Sequence, residues 1–265
     1  MDLHLDPERL RKGFHQAQPF PYVVLEDFLP IEAAREVSRS YPTFDEAERM
    51  GLSFAFVNER KKVQVTDYER FPGPVKALAD ALASPEFMGR LEALTGIEGL
   101  LWDDSYAGGG MHQTASSGHL DVHVDFNQLG HNGWYRRLNL LIYLNERWDP
   151  EWGGHLELWD QEVKNCYQRV VPALGRAVLF ETSDHSFHGV SAVESPEDHP
   201  RKSFAVYYYA KQPGASFEGS HSTIFKARPH ELKKKYISMP LERAERLAQD
   251  KLRSVKDQAK RFLGR

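Results

Sequence analysis

Cysteine is nearly absent from this chain of 265 residues, because Cys166 is the only one. A single thiol excludes an intramolecular disulfide and favours a reducing compartment. Long apolar runs are absent too: the longest, residues 204–210, is far shorter than the roughly 20 residues that span a bilayer. Residues 1–14 carry charges throughout and show no apolar segment typical of a secretory signal. We therefore expect a cytoplasmic protein without a membrane partner.

An excess of charge of one sign is also missing. Lys and Arg total 34 and Asp and Glu total 38, so the formal net charge is −4. The basic residues are spread along the chain until its C-terminal tail, so no basic surface typical of nucleic-acid binding is predicted. What the chain does have is 41% hydrophobic and 12% aromatic residues, which suffices for a sizeable core.

Helical signals dominate the first part of the chain. The stretch DPE at residues 6–8 is typical of a capped helix start and predicts a helix that ends near Gln16. Residues 22–25 are β-rich and favour a strand. Further helices are predicted at residues 31–41, 74–82 and 85–94. We interpret residues 1–99 as a helical support for the rest of the domain.

From residue 100 onward, short β-type runs alternate with glycine- and proline-containing turns. The runs lie at residues 117–127, 138–145, 153–160, 169–180, 187–193 and 201–210. Such spacing is typical of an antiparallel sandwich or barrel. We predict one domain over residues 1–212, whose β core occupies residues 100–212.

The C-terminal tail has the pattern of an amphipathic helix. Apolar residues recur at steps of three and four from Leu241 to Phe262, with charged residues between them. We predict a helical extension over residues 213–265. Its apolar stripe would pack on the β core or against a second copy of the chain in a homodimer.

The segment SGHLDVHVDFN contains the pattern HxD twice, first as His119 and Asp121 and then as His123 and Asp125. Side chains two positions apart on a regular strand lie on the same face, so each pair could share a metal ion. Alternation alone does not separate the pairs, because all four positions would share one face. One carboxylate and two histidines leave open the coordination positions that an oxygen-activating iron needs.

A third ligand must therefore come from elsewhere in the chain. His188, in the segment SFHGV, is the favoured candidate because this segment can form a strand. His185 is the alternative, but it lies in the turn-like segment SDHS and would face the opposite side of a continuous strand.

At this point the chain resembles the iron(II)- and 2-oxoglutarate-dependent oxygenases, most closely their prolyl-4-hydroxylase-like branch. The resembling segments are HVDFN at 123–127, RLNLLIYLN at 137–145, WGGHLEL at 152–158, HG at 188–189 and RKSFAVYYY at 201–209. The resemblance implies a mainly β fold: a double-stranded β-helix (jelly roll) core with N-terminal helices and a C-terminal amphipathic helix.

The resemblance also implies a set of ligands. Fe(II) would be held by His123, Asp125 and His188, with 2-oxoglutarate and O₂ as cosubstrates. Arg201 would bind the far carboxylate of 2-oxoglutarate, because a guanidinium matches a carboxylate in two hydrogen bonds. Lys202 is its neighbour and would face the other side of the strand. Tyr143 would donate its hydroxyl to the same carboxylate, although an ordinary core position is the alternative.

With iron assigned to the second HxD, the first HxD is not expected to bind this metal. His119 would lie about 13 Å from His123 along a regular strand, too far to bind the same ion. We therefore expect His119 and Asp121 at the mouth of the pocket or at a solvated edge. Residues 153 and 154, a Gly-Gly pair, are expected to form a tight turn or bulge without a chemical role.

The implied activity is hydroxylation of an unactivated C–H bond in an amino acid, a peptidyl residue or another small metabolite, with succinate and CO₂ as coproducts. A carboxylate at position 125 argues against halogenation, because halogenating relatives have a small residue there. Two other functions stay open: a non-catalytic cupin-like protein that binds a metal or ligand or acts as a sensor, and a different metalloenzyme on a jelly roll. Neither needs a buried Arg201 that faces the metal.

Overall fold

The computed structural model describes residues 1–241, and a large antiparallel sheet dominates them. The helices are α1 (Pro7–Gln16), α2 (Ile31–Ser40), α3 (Phe44–Met50), α4 (Gly73–Ala83) and α5 (Pro85–Thr95). The strands are β1 (Tyr22–Leu25), β2 (Leu52–Ala55), β3 (Glu59–Val65), β4 (Gly110–Val124), β5 (Tyr135–Tyr143), β6 (Leu156–Trp159), β7 (Cys166–Val170), β8 (Ala177–Glu181), β9 (His188–Val190), β10 (Arg201–Ala210) and β11 (Ile224–Lys226). The predicted mainly β class with supporting helices is confirmed.

The order of strands makes a barrel-like sheet. The path runs β1-β8-β5-β10-β4-β9-β6-β7, and every pairing along it is antiparallel. Side chains of β6 pack against side chains of β5 and β8 in one apolar cluster, although these strands are far apart along the path. The sheet therefore curls over on itself, as the predicted jelly roll requires.

Alternation along β5 separates the two sides of this sheet. Leu138, Leu140 and Ile142 belong to the main core, which also includes the buried faces of α2, α4 and α5. Tyr143 instead lies in the cluster that fills the barrel. The helices thus cover the outside of the sheet, while the intervening residues of β5 face the interior, where the site lies.

The N-terminal predictions hold where local signals are strong. Helix α1 begins after Asp6, whose side chain accepts a hydrogen bond from the backbone N–H of Arg9 at 3.1 Å. Strand β1 has the predicted bounds, and α2 ends one residue earlier than expected, at Ser40.

The hairpin of β2 and β3 was not predicted within the expected helical support. The exposed positions of β3 are charged, and its strand character comes from pairing with β4, where Val65 lies opposite Met111. Helix α3 was also missed, although Thr43 and Glu46 form a capping box that marks its start.

Downstream of β10 the chain differs from the predicted helical extension. Residues 213–231 form loops and the short strand β11, which pairs with β4. A helical segment begins at residue 232 and includes a π-helical stretch, Lys234–Ser238. The predicted amphipathic helix lies outside the described residues except for Leu241. Within residues 1–241, no helix has both the length and the apolarity to cross a bilayer.

Candidate functional site

Three ligand-type side chains meet where β4 ends beside β9. His123 is paired directly with His188 across these strands, and Asp125 follows β4 immediately. Their ligand atoms all lie within 4.8 Å of one another. Asp125 Oδ1 lies 3.5 Å from Nε2 of His123, and its Oδ2 lies 3.5 Å from Nε2 of His188. The structure thus brings together the three predicted iron ligands; His185, the alternative, is not in this group.

Both imidazoles are oriented for metal binding. Nδ1 of His123 lies 2.8 Å from the carbonyl oxygen of Asp121, and Nδ1 of His188 lies 2.9 Å from that of Ser186. Because a carbonyl only accepts hydrogen bonds, each Nδ1 carries the proton and each Nε2 keeps a free lone pair. Burial, assisted by the neighbouring His123, lowers the pKa of His188 to about 4. His188 is therefore a neutral ligand at neutral pH.

The carboxylate of Asp125 is held in place by two residues of β5. Nδ2 of Asn139 donates to Oδ2 at 2.7 Å, and Nη1 of Arg136 lies 2.9 Å from Oδ1. Burial alone would raise the pKa of Asp125, but the Arg136 guanidinium beside it opposes burial and this pKa lies well below its usual range. Two neutral imidazoles and one anionic carboxylate on one face fit an Fe(II) site with open positions.

Arg136 and Asn139 were not singled out from the sequence as functional residues. Alternation along β5 could have found Asn139, which shares the inward face with Tyr143. It could not have found Arg136, because the pairing of β5 with β10 shifts by one residue between Leu138 and Arg136. The Arg136 guanidinium is buried between two rings, 4.0 Å from the ring centre of Phe126 and 3.5 Å from that of Tyr207. Its Nε and Nη2 are buried and have no hydrogen-bond partner within residues 1–241.

A second charged side chain, Arg201, lies inside the barrel at the start of β10. Its side chain is only 4% exposed, its Nε donates to the carbonyl oxygen of Gly154 at 2.6 Å, and its Nη1 donates to Ser203 at 3.3 Å. Among residues 1–241, no carboxylate lies within salt-bridge distance of it. A buried cation without a counter-ion is costly, so this pocket suits an anionic ligand.

Tyr143 supplies a second donor in the same place. The Arg201 guanidinium lies 5.1 Å from the centre of the Tyr143 ring. The Tyr143 hydroxyl is buried and has no hydrogen-bond partner in the described part of the chain. Burial raises the pKa of Tyr143 to about 12 although Arg201 opposes this, so the hydroxyl keeps its proton. This O–H beside a guanidinium without a counter-ion in the described chain fits the far carboxylate of 2-oxoglutarate.

The Gly-Gly pair also positions Arg201, which the sequence did not indicate. Gly153 and Gly154 both have left-handed backbone angles, with φ of 62° and 64°. A Cβ at position 154 would lie 3.0 Å from Cδ of Arg201 and 3.0 Å from the Trp148 ring. Glycine thus lets the backbone approach Arg201 closely enough to orient it.

Lys202 lies on the opposite side of β10, as predicted. Its Nζ donates to the carbonyl oxygen of Ser38 at 3.2 Å and lies 5.9 Å from the ring centre of Tyr41. It therefore contacts α2 and the chain after it, outside the barrel.

The prediction for Asp121 was wrong. Between Leu120 and His123 the pairing of β4 with β9 shifts by one residue, which is a β-bulge. The extra residue reverses the alternation, so Asp121 and His123 do not share a face. Asp121 is fully buried, and its Oδ1 lies 2.6 Å from Nζ of Lys234. It belongs to an ionic cluster outside the barrel, neither at a solvated edge nor at the pocket mouth.

Comparisons with known proteins agree with this site. Residues 109–209 match the model of the 2OG-Fe(II) oxygenase superfamily. Over 78 residues the chain is 36% identical to mouse prolyl 3-hydroxylase OGFOD1, a stretch that is 28% of this chain and 14% of that protein. The chain thus aligns with only a small part of the length of this relative.

Solved structures of similar fold include a prolyl hydroxylase from Trichoplax adhaerens in complex with a hypoxia-inducible-factor peptide. It is 19% identical, with a TM-score of 0.55 over 77% of this chain and 90% of that one. HygX from Streptomyces hygroscopicus, with nickel, 2-oxoglutarate and hygromycin B bound, is 13% identical, with a TM-score of 0.52 over 82% of this chain and 97% of that one. These likenesses confirm the predicted jelly-roll fold.

The matched residues 109–209 contain the triad, Arg201 and Tyr143. The donor set and the cationic pocket fit the Fe(II) and the 2-oxoglutarate that give the superfamily its name. Over these residues the chain is similar to the 2OG-Fe(II) oxygenase superfamily, as the resemblance in its sequence predicted.

Proposed function

We propose that this protein is an Fe(II)- and 2-oxoglutarate-dependent dioxygenase that hydroxylates a prolyl residue of a peptide or protein. The observation that carries the proposal is the buried Arg201, without a carboxylate partner among the described residues and beside the unpaired Tyr143 hydroxyl. A cupin-like sensor or a different metalloenzyme needs no such anion pocket inside the barrel. The prolyl substrate is supported by the prolyl hydroxylases among the similar proteins.

In this proposal each residue has a defined part. Iron with bound 2-oxoglutarate supplies the oxidation of a C–H bond by O₂, with succinate and CO₂ as coproducts. His123, Asp125 and His188 would hold the metal, and Asn139 keeps the carboxylate of Asp125 in one orientation. Arg201 and Tyr143 would fix the far carboxylate of 2-oxoglutarate and so set its distance from the metal.

Arg136 supports a substrate that brings a hydrogen-bond acceptor. Its guanidinium adjoins Asp125, and its Nε and Nη2 have no partner in the described chain. A peptide carbonyl next to the target residue would satisfy these donors and place the target bond beside the metal. A free amino acid could offer only its carboxylate, and hygromycin B in HygX shows that a relative of similar fold binds a larger small molecule.

The test is anaerobic addition of Fe(II) and 2-oxoglutarate, with the weak visible charge-transfer band of the chelate as readout. The wild type should give the band, and His123→Ala and Arg201→Met should lose it at the same ligand concentrations. His185→Ala is the matched control and should keep it, because this histidine lies outside the triad. A wild type without a band, or an unchanged band in both variants, contradicts the proposal.

The substrate is tested by succinate formation. Peptides with one central proline should stimulate it above the rate without substrate, and mass spectrometry should find one added oxygen in the peptide. Free proline and an aminoglycoside are the comparison substrates. If either of these stimulates succinate formation and the peptides do not, the enzyme class stands and the peptidyl substrate is wrong.

A homodimer is a further proposal, supported by the end of the described chain. Leu232, Tyr236, Ile237 and Leu241 are all more than half exposed there, and the predicted apolar stripe continues from Leu241. Sedimentation of the full chain should show a dimer that Ile237→Glu dissociates; a wild-type monomer contradicts this.

The cytoplasmic location, the absence of a nucleic-acid partner and the bounds of the domain stay predictions.

A further inference from the structure

The segment after β10 returns to the metal site. We call residues 213–228 the strap. It lies beyond the residues 109–209 that the superfamily model matches. Its strand β11 extends the edge of β4 at Val122–Val124, and Phe225 lies opposite His123 with their ring centres 5.4 Å apart. An element outside the matched region thus contacts a predicted iron ligand.

The front of the strap is fixed by two polar side chains near the metal ligands. Asp184 accepts hydrogen bonds from the backbone N–H of Glu218 at 2.8 Å and from Nε2 of His221 at 3.0 Å. Asn127 donates to the carbonyl oxygen of Gly219 at 2.7 Å and accepts from the N–H of His221 at 3.0 Å. Four hydrogen bonds over four residues hold this part of the strap in one conformation.

The rear of the strap is fixed by the ionic cluster outside the barrel. Nε of Arg228 donates to Glu157 at 2.7 Å, its Nη1 lies 3.4 Å from Asp121, and its Nη2 donates to the carbonyl oxygen of Val190 at 3.1 Å. All three charged side chains are buried. The first HxD therefore supplies, through Asp121, an anchor for the strap.

Immediately before the front anchor the strap forms one wall of a pocket. Ser216 and Phe217 line it from the strap, opposite Asp125 and Arg136 from the barrel. Phe217 is partly buried, with its ring edge-on to Tyr135 at 4.9 Å between centres. The pocket therefore has a charged wall at the predicted metal ligands and an aromatic wall to which the strap adds Phe217 beside Tyr135.

We propose that the strap is the specificity-determining wall of the substrate site, with Phe217 packing against an apolar part of the substrate while Arg136 holds its acceptor oxygen. The inference rests on the proposed function and adds to it, because the strap is not part of the matched domain. Asp184 acts through the strap and is a positioning residue.

The test compares Phe217→Ala, Phe217→Leu and Asp184→Ala with the wild type on proline peptides that vary in the residues flanking the proline. We expect KM for the best peptide to rise roughly 10–100-fold in Phe217→Ala, with kcat changed far less and the preference among flanking residues flattened. Phe217→Leu should restore most of the affinity. Asp184→Ala should raise KM and increase amide hydrogen exchange in residues 213–228.

The controls separate this inference from the proposed function. Tyr167→Ala removes an aromatic side chain that is 53% exposed on β7 and should leave all readouts at wild-type values. The chelate band should persist in every strap variant, because Arg201 and Tyr143 are not touched. Wild-type KM and preference in both Phe217→Ala and Asp184→Ala would overturn the inference alone. A wild type without the band overturns the proposed function and this inference with it.

Discussion

Tyr143→Phe should act in opposite directions on the empty protein and on its complex with 2-oxoglutarate. The hydroxyl is fully buried and unpaired among the described residues, and an unsatisfied buried polar group costs about 1–3 kcal/mol. Its removal should raise the free energy of unfolding of the apoprotein by about 1 kcal/mol, which corresponds to a melting temperature roughly 2–4 °C higher. A hydrogen bond to a charged group contributes about 1.5–3 kcal/mol, so 2-oxoglutarate affinity should fall by roughly 10–150-fold.

Thermal unfolding of the apoprotein and calorimetric titration with 2-oxoglutarate and Mn(II) measure the two effects. Tyr208→Phe is the matched control, because Tyr208 is also fully buried but its hydroxyl donates to the carbonyl oxygen of Leu82 at 3.1 Å. Loss of the Tyr208 hydroxyl should lower the free energy of unfolding by about 1 kcal/mol and leave 2-oxoglutarate affinity unchanged. If Tyr143→Phe instead destabilises the apoprotein like its control and binds 2-oxoglutarate normally, the assignment of this hydroxyl to the cosubstrate is refuted.

Three further substitutions test the neighbours of Asp125 and Arg201 and the cap of helix α3. Asn139→Ala frees the carboxylate of Asp125 and should weaken Fe(II) binding roughly 10–100-fold, measured by metal titration under anaerobic conditions. Gly154→Ala places a Cβ 3.0 Å from Cδ of Arg201 at a φ of 64°; it should raise the KM for 2-oxoglutarate about tenfold or more, at a cost of about 1–3 kcal/mol in stability. Thr43→Ala removes the capping box of α3 and should lower the melting temperature roughly 2–4 °C without changing either ligand affinity.

Much of the fold could be predicted because the signals are local. Strand β10 has the predicted bounds, since its bulky residues alternate between the barrel and the helical core. The hairpin of β2 and β3 could not be predicted in the same way. The exposed side of β3 is charged, and this strand exists because the long β4 offers its edge to it. Pairing of that kind depends on a partner distant in sequence.

The candidate site also divides into residues with a local sequence signal and residues whose position depends on a paired strand. Spacing alone left two HxD pairs open, and the resemblance to the oxygenase family was needed to choose His123 and Asp125, which the structure brings together with His188. The part of Asn139 was missed although its alternation with Tyr143 was visible, whereas Arg136 lies beyond a register shift between β5 and β10 that one strand alone does not reveal. The bulge at Asp121 was also missed: a bulge is a difference in residue count between two paired strands, and one strand alone does not reveal it.

That bulge explains why the chain contains the HxD pattern twice. On a regular strand Asp121 and His123 would share a face, and a second carboxylate would lie beside the iron ligands. With one extra residue between them, His123 faces the barrel while Asp121 faces Arg228 at the rear of the strap. One short stretch of β4 thereby carries both a predicted metal ligand and the anchor of the proposed substrate wall. Because only Val122 separates them, we expect a displacement of the strap to reach the strand that carries His123.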